Sequence, residues 1–376
     1  MVFERVRAIL IKEFKQVLRD PRMKTVIFIS PIIQILLFGY AANKDIDYIP
    51  TAIYDQDNTK ESRDLVHEFT YSKYFVPKYY IYDKEEQDRL INKGLASAVL
   101  RIDRGFGRDL KAGRNANVQL SLDGSDSNTA MIILGYANTI MSQYQYRLIK
   151  EEVSAHGLEY VVPSVDLRSR AWFNENLISR NYYLPGVIAS IVTIMSLLLT
   201  AMAIVREKEI GTMEQLIVSP LLPLELIFGK LIPFGIIALI QTSLITTLAV
   251  FWFHIPLRGN LLLLALATCV YLFTTLGAGL FISTIASTQQ EAMMSVFLFY
   301  MPTFLLSGFA YPIANMPEVI RWLTFINPMR YFLVIIRGIF LKGVGIDILW
   351  KQLVFLLIMG LAVITLSVLR FRKKIA

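Results

Sequence analysis

The sequence predicts an α-helical polytopic membrane protein with six transmembrane helices and an α/β extracytoplasmic domain inserted between spans one and two. Three observations carry that class. The 376 residues are 55% hydrophobic and only 18% charged, with a mean hydropathy of +0.49, whereas a soluble domain carries about 25% charged residues. The apolar residues are gathered into six uncharged blocks. A long polar stretch, residues 43–181, separates the first block from the second. Twenty-three Phe and 18 Tyr oppose a disordered chain. The single cysteine, Cys269, excludes an internal disulfide framework and any multi-cysteine metal site.

Residues 1–24 carry seven Lys/Arg and three acids. Val2, Phe3, Val6, Ile9, Leu10, Phe14, Val17 and Leu18 recur at three- and four-residue intervals between them. This is the pattern of a basic amphipathic helix lying in the cytoplasmic interface. The first apolar block, residues 25–42, follows. Its basic prelude is too long for a signal peptide, and Pro31 interrupts an apolar region longer than a signal core. It reads as an uncleaved first span.

In residues 43–181 strand-like and helix-like runs alternate. Thr51–Tyr54, Val76–Tyr82, Ala96–Ile102 and Val118–Leu122 are strand-like. Lys60–Tyr71, Lys84–Lys93 and Arg104–Ala112 are helical, Asp55–Asn58 reads as a turn and helix cap, and Asp123–Asn128 caps a long final helix. The alternation favours a small α/β domain with a mixed sheet. His67 and His156 stand alone, with no metal-ligand cluster and no nucleophile beside a base. A binding or docking module is the better expectation.

Residues 182–371 hold the other five blocks: Tyr182–Val205, Leu231–Phe253, Leu261–Thr288, Ala292–Tyr311 and Gln352–Leu369. Each has roughly the 17–25 residues that cross a hydrocarbon core of about 30 Å as a helix. Residues 372–376 form a short basic tail. Both ends of the chain are basic, whereas Lys44–Arg180 holds 18 cations against 20 acids. Six spans and the positive-inside rule therefore put both termini in the cytoplasm of a cell (inner) membrane. Arg321, Arg330, Arg337 and Lys342 offend the rule, since they fall between spans five and six. The formal net charge of +8 thus marks membrane sidedness, with lipid headgroups as its counterpart and no nucleic acid implied.

Several chemistries are missing. Gly229-Lys230 is the nearest string to a phosphate-binding loop, but Leu224 replaces its first glycine and Leu231 its hydroxyl residue. No H-E-x-x-H or G-x-S-x-G occurs. The spans lack the central acid or histidine that ion-coupled carriers keep, so energy must come from elsewhere. Interior polar groups are Gln34, Thr193, Gln241, Thr242 and Thr246, a candidate translocation path, with Ser190, Ser243 and Thr247 beside them. The same side chains suit hydrogen bonding between helices.

Between spans two and three lies REKEIGTMEQLIVSPLLPLE, residues 206–225. Four charges are followed by Gly211-Thr212, then by apolar Met213, Leu216 and Ile217 at helical spacing, and Pro220 and Pro223 end the run. The string resembles the E-x-E-x-G-T-x-E-x-L…S-P segment of ABC transporter permeases of the type-2 export class. The matching positions are Glu207, Glu209, Gly211, Thr212, Glu214, Leu216, Ser219 and Pro220. A second resemblance is LSGFAYPIANMPEVIRWLTFINPMRYF, residues 306–332, and a third is Arg19-Asp20-Pro21. The layout, with its large domain after span one and DGSDSNTA at 123–130, is similar to the drug-efflux-like subgroup.

The resemblance implies that residues 206–222 hold a coupling helix docking on a separate ABC ATPase subunit, which binds the ATP. This chain would need no cofactor or metal and have no ATPase site of its own. It implies a second permease chain, identical or paralogous, and in two-membrane envelopes a periplasmic adaptor. Residues 306–332 would form an outer re-entrant segment, with Tyr300, Phe304, Phe309 and Tyr311 as candidate outer gate. The expected function is outward movement of an amphipathic small molecule or drug. The alternatives are a lipid or glycolipid exporter of the same class, and a membrane sensor or scaffold with a ligand-binding outer domain.

Overall fold

The computed structural model describes residues 2–41, 48–155, 172–174, 178–212 and 223–375. The chain divides into two units, Met1–Lys44 with Arg170–Ala376, and Asp45–Ser169.

In the first unit, α1 (Val2–Arg19) places Glu4 in its first turn and Arg19 in its last, matching the helix dipole. Its buried face is Ile9, Glu13 and Val17, four residues apart, while Ile11 and Leu18 are exposed. The apolar periodicity thus located the helix, but an acid occupies the centre of its buried stripe. A short α2 (Pro21–Lys24) starts at Asp20, whose carboxylate accepts from Met23 N at 3.4 Å. A π-helical turn (Thr25–Ile29) then leads into α3 (Ser30–Ala41). The wide turn falls just before Pro31, which lacks an N–H and would crowd a regular α-turn.

Among the described residues four helices are long and apolar enough to cross a membrane: α8 (Ser179–Ile210), α9 (Pro223–Phe251), α10 (Leu261–Ile285) and α14 (Ile346–Ile375). A bent pair, α12 (Glu318–Leu323, continued by a 3-10 turn to Ile326) and α13 (Pro328–Arg337, continued by a π turn to Lys342), folds through 82°. Against the six spans expected from the sequence, the described residues hold four or five candidates. The first block forms only the short apolar helix Thr25–Ala41. The fifth, expected over Ala292–Tyr311, is α11 (Gln289–Leu305, 17 residues), and it stops because the chain turns through Gly308 at φ +87°. The bent segment also reaches Lys342, ten residues past the expected limit of 332.

Helix α8 is the hub of this unit: 78% of its most apolar window is buried, against 17% for peripheral α14. Helix α10 crosses it where a Cβ on Gly279 would lie 2.9 Å from Leu197 O, the close approach small residues allow in membrane bundles. Helix α14 is tied to α10 by Ser367 Oγ to Gly277 O at 3.0 Å and Thr274 Oγ1 to Leu356 O at 3.2 Å. The cations that offend the charge rule are all engaged. Arg321 donates to Ala314 O and Met316 O, Arg330 donates to Thr324 and stacks 4.1 Å from Phe325, and Arg337 stacks 3.9 Å from Tyr182. Lys342 Nζ lies 5.8 Å from the Phe173 ring centroid.

The second unit is a four-stranded sheet in the order β2-β1-β3-β4, with β1 (Ile49–Asp55) parallel to β2 (Phe75–Tyr80) and β3 (Ala98–Ile102), and β4 (Val118–Leu122) antiparallel to β3. Alternation divides the strands between two cores. Ile49, Ile53, Ala98, Leu100 and Ile102 pack with Leu65 and Phe69 of α4 (Lys60–Tyr71) and Ile133 and Tyr144 of α7 (Ser127–Ala155). Ala52, Tyr54 and Val99 pack with Leu90 of α5 (Lys84–Asn92) on the other face. The cap of α4 is Thr59, whose hydroxyl accepts from Ser62 N, rather than a residue of 55–58. Asp55 makes the preceding turn, accepting from Asp57 N and Asn58 N. Asp57 instead reaches α6 (Phe106–Lys111), accepting from Gly105 N at 2.6 Å and Gly107 N at 2.8 Å. His67 stacks on Tyr71 with centroids 5.9 Å apart. His156 lies outside the described residues.

Candidate coupling and translocation sites

The four charges that open the 206–225 string belong to the last turns of α8, because the helix runs without a break to Ile210. Successive helical residues point about 100° apart, so each charge faces a different neighbour. Arg206 donates to Asp20 Oδ2 at 3.1 Å, at the α1–α2 junction. Glu207 accepts from Lys12 of α1 and Lys230 of α9. Lys208 donates to the closing carbonyls of α10, Ser283 O and, at 3.3 Å, Ala286 O. Glu209 caps α11, accepting from Gln289 N at 2.7 Å and from its side-chain amide. One turn of α8 thereby holds α1, α9, α10 and α11.

The centre of this arrangement is a neutral quartet of Lys12, Glu13, Glu207 and Lys230. Glu13, Glu207 and Lys230 are each no more than 3% exposed. Lys230 also lies 3.6 Å from Glu13 Oε1. Buried charges persist only when paired, since removing one leaves its partner desolvated. Glu13 and Lys12 escaped the sequence reading. The available signal was an acid exactly four residues from both Ile9 and Val17 on an otherwise apolar stripe.

Gly211 ends α8 at φ +79°, its N–H bonded to Lys208 O at 3.2 Å. That left-handed cap favours glycine. Thr212 Oγ1 donates to Glu207 O at 3.3 Å. Glu207, Glu209, Gly211 and Thr212 are thus brought together around the end of α8. Glu214, Leu216, Ser219 and Pro220 lie outside the described residues.

The candidate path residues are not gathered at one place. Gln34 donates to Ser30 Oγ within its own helix, at 3.1 Å. Thr193 is 1% exposed, bonded to Ala189 O and to Tyr271 Oη, and Tyr271 stacks on Phe332 with centroids 4.1 Å apart. Its geometry is that of helix-to-helix bonding. Gln241 is fully buried, and neither amide atom has a hydrogen-bond partner among the described residues. Thr242 and Thr246 line a groove of about 370 Å³ between α9 and α10.

Three of the four candidate gate aromatics form one cluster. Ring centroids lie 5.8 Å apart for Tyr300–Phe304 and 5.2 Å apart for Phe304–Phe309. Tyr300 Oη bonds Ser190 Oγ at 2.5 Å, and Phe309 lies over Gly186, where a Cβ would come within 2.3 Å of its ring. Tyr311 is 65% exposed and joins no ring pair among the described residues. Asn327 holds the bend beneath, donating to Thr303 O at 2.7 Å and capping α13 at Met329 N.

Residues 24–369 match a family model described as ABC-2 family transporter protein. The chain belongs to the ABC-2 transporter family. It is 34% identical over 374 residues to the probable multidrug ABC transporter permease YbhR of Escherichia coli (strain K12), covering 100% of both chains. It is 31% identical to the probable multidrug ABC transporter permease YbhS of the same strain, over 99% of this chain and 98% of that one. It is 30% identical to that strain's inner membrane transport permease YhhJ, over 97% and 96%. The family match bears out the resemblance to the type-2 export class. In this ABC-2 permease residues 206–210 of the string are the interlocked end of α8.

Proposed function

We propose that this permease is the membrane subunit of an ATP-driven exporter moving amphipathic small molecules or drugs outward, powered by a separate ATPase. The observation that carries it is the α8 terminus: Arg206, Glu207, Lys208 and Glu209 grip α1, α9, α10 and α11 immediately before the coupling string. A push on residues 211–222 would be delivered to all of them together, as packed helices shifting on hinges. The names of the relatives, probable multidrug ABC transporter permeases, support the substrate class. In this reading both termini are cytoplasmic, six spans include the short helices 25–41 and 289–305, and the sheet-bearing unit is extracytoplasmic. Two permease chains enclose the path, ATP is bound by the ATPase pair, and Tyr300, Phe304 and Phe309 close the outer side. An adaptor would dock outside.

The test is co-purification with an ATPase and vanadate-sensitive export, read as ATP-dependent uptake into inverted vesicles. Glu214→Arg is expected to abolish both export and ATPase capture while leaving the permease in the membrane. Normal export by that variant would overturn the coupling assignment.

A further inference from the structure

We propose that the seam between α9 and α10 binds amphipathic molecules whose polar head is a hydrogen-bond donor, primary alkylamines being the fitting class. The proposal deepens the exporter reading by naming a site and a ligand chemistry. It relies on that reading only for the direction of movement.

The seam has two halves that meet at Leu239, which lines both cavities. One half, about 210 Å³, is walled by Phe228, Leu231, Ile232, Leu272 and other apolar side chains. From Phe228 to Leu239 the helix rises about 16 Å, roughly half of a 30 Å hydrocarbon core. That is the length of one leaflet. The other half, the groove of about 370 Å³, carries five hydroxyls: Thr242, Ser243, Thr246, Thr247 and Thr268. Among the described residues no carboxylate or cation lines it.

The hydroxyls are not neutral in what they accept. Thr242 donates to Ala238 O, Ser243 to Leu239 O, Thr247 to Ser243 O and Thr268 to Leu264 O, all at 2.7–2.9 Å. A hydroxyl has one proton to give and two lone pairs to offer. With the proton spent on the helix backbone, these four present acceptors. The buried Thr246 hydroxyl has no hydrogen-bond partner among the described residues. An acceptor-rich wall rewards N–H or O–H groups and rejects a head that offers only lone pairs or methyl groups, because its own oxygens lose water without compensation. An ammonium with three N–H donors meets that wall while its alkyl tail follows the apolar half.

The experiment compares dodecylamine with dodecyltrimethylammonium, equal in charge and tail but with no N–H in the second. Binding of radiolabelled dodecylamine to the full chain in phosphatidylcholine nanodiscs is measured with empty discs subtracted, and the trimethyl compound serves as competitor. Dodecylamine is expected to bind at least tenfold more tightly. Thr242→Val with Thr268→Val, which keeps volume and removes two acceptors, is expected to erase most of that preference while sparing the trimethyl compound. Equal affinity of the two amines for the unmodified protein overturns the proposal, as does an unchanged preference in the double variant. If that variant does not fold, the comparison on the unmodified protein decides alone. No ATPase is present, so failure here leaves vanadate-sensitive export, and with it the exporter reading, standing.

Discussion

Lys230 of α9 donates to Glu207 of α8 across 23 residues of chain, and both side chains are almost wholly buried. The pair closes the two ends of the coupling stretch on each other. Lys12 and Glu13 bring α1 into the same contact. Whatever displaces one end must move three helices.

Lys230→Met is expected to destabilise the permease by about 3 kcal/mol, since Glu13 and Glu207 would then share only the half-exposed Lys12. Lys230→Met combined with Glu207→Gln should recover most of that loss. Thermal unfolding in detergent of the single and double variants measures the coupling, and simple additivity would show that the two residues do not interact.

Gly211→Val places a β-branched residue at φ +79°, at a cost of about 1–3 kcal/mol. The strain falls on the cap rather than the bundle. Vanadate-sensitive export should drop severalfold with little change in membrane yield, and Gly211→Asn should be milder because Asn tolerates the left-handed region. Export assays alongside quantitative immunoblots read both.

Gly186→Ala would push a methyl into the Phe309 ring. Overpacking of this kind costs about 1–3 kcal/mol, and displacing Phe309 also disturbs Phe304 and Tyr300. The expected outcome is altered export at normal protein level. Gly186→Ala with Phe309→Leu should restore it.

Asp57 titrates with a defined sign. Burial raises its pKa, but the Thr59 hydroxyl and the Gly107 and Gly105 N–H groups outweigh burial and hold the carboxyl below its ordinary value. Its contribution to stability is therefore complete above the ordinary carboxylate pKa of about 3.9 and is lost as pH falls through the lowered folded value. Asp57→Asn should lower the melting temperature at pH 7 and flatten its fall in acid. Identical pH slopes for the two proteins would refute the assignment.

Much of this molecule was legible in its sequence because lipid imposes a simple rule. A backbone that cannot bond to water must be helical, so runs of apolar residues announce α8, α9, α10 and α14, although α9 begins eight residues before its apolar block and α14 extends six residues beyond its block at each end. The short, largely apolar runs of β1 and β3 likewise announced strands, because both faces of each are buried. Caps were harder. Asp55, Asp57 and Thr59 are all competent, and only the folded chain assigns Asp55 to a turn, Thr59 to α4 and Asp57 to α6.

By itself, then, the sequence determined the class, the order of the elements and the family string at 206–225, since these depend on local composition and spacing. The tertiary structure decided what those residues touch. The run Arg206–Glu209 reads as a solvated stretch of loop, yet helical continuation to Ile210 turns each charge toward a separate partner. Glu13 looks like a break in an apolar stripe, yet Lys230 makes it part of the buried quartet. The hydroxyls of α9 and α10 look interchangeable, yet their backbone bonds leave them acceptors along one seam. In each case the physical reason is the same: a side chain's charge and donors are local properties, but its partner is set by which helices cross within a few ångströms of it.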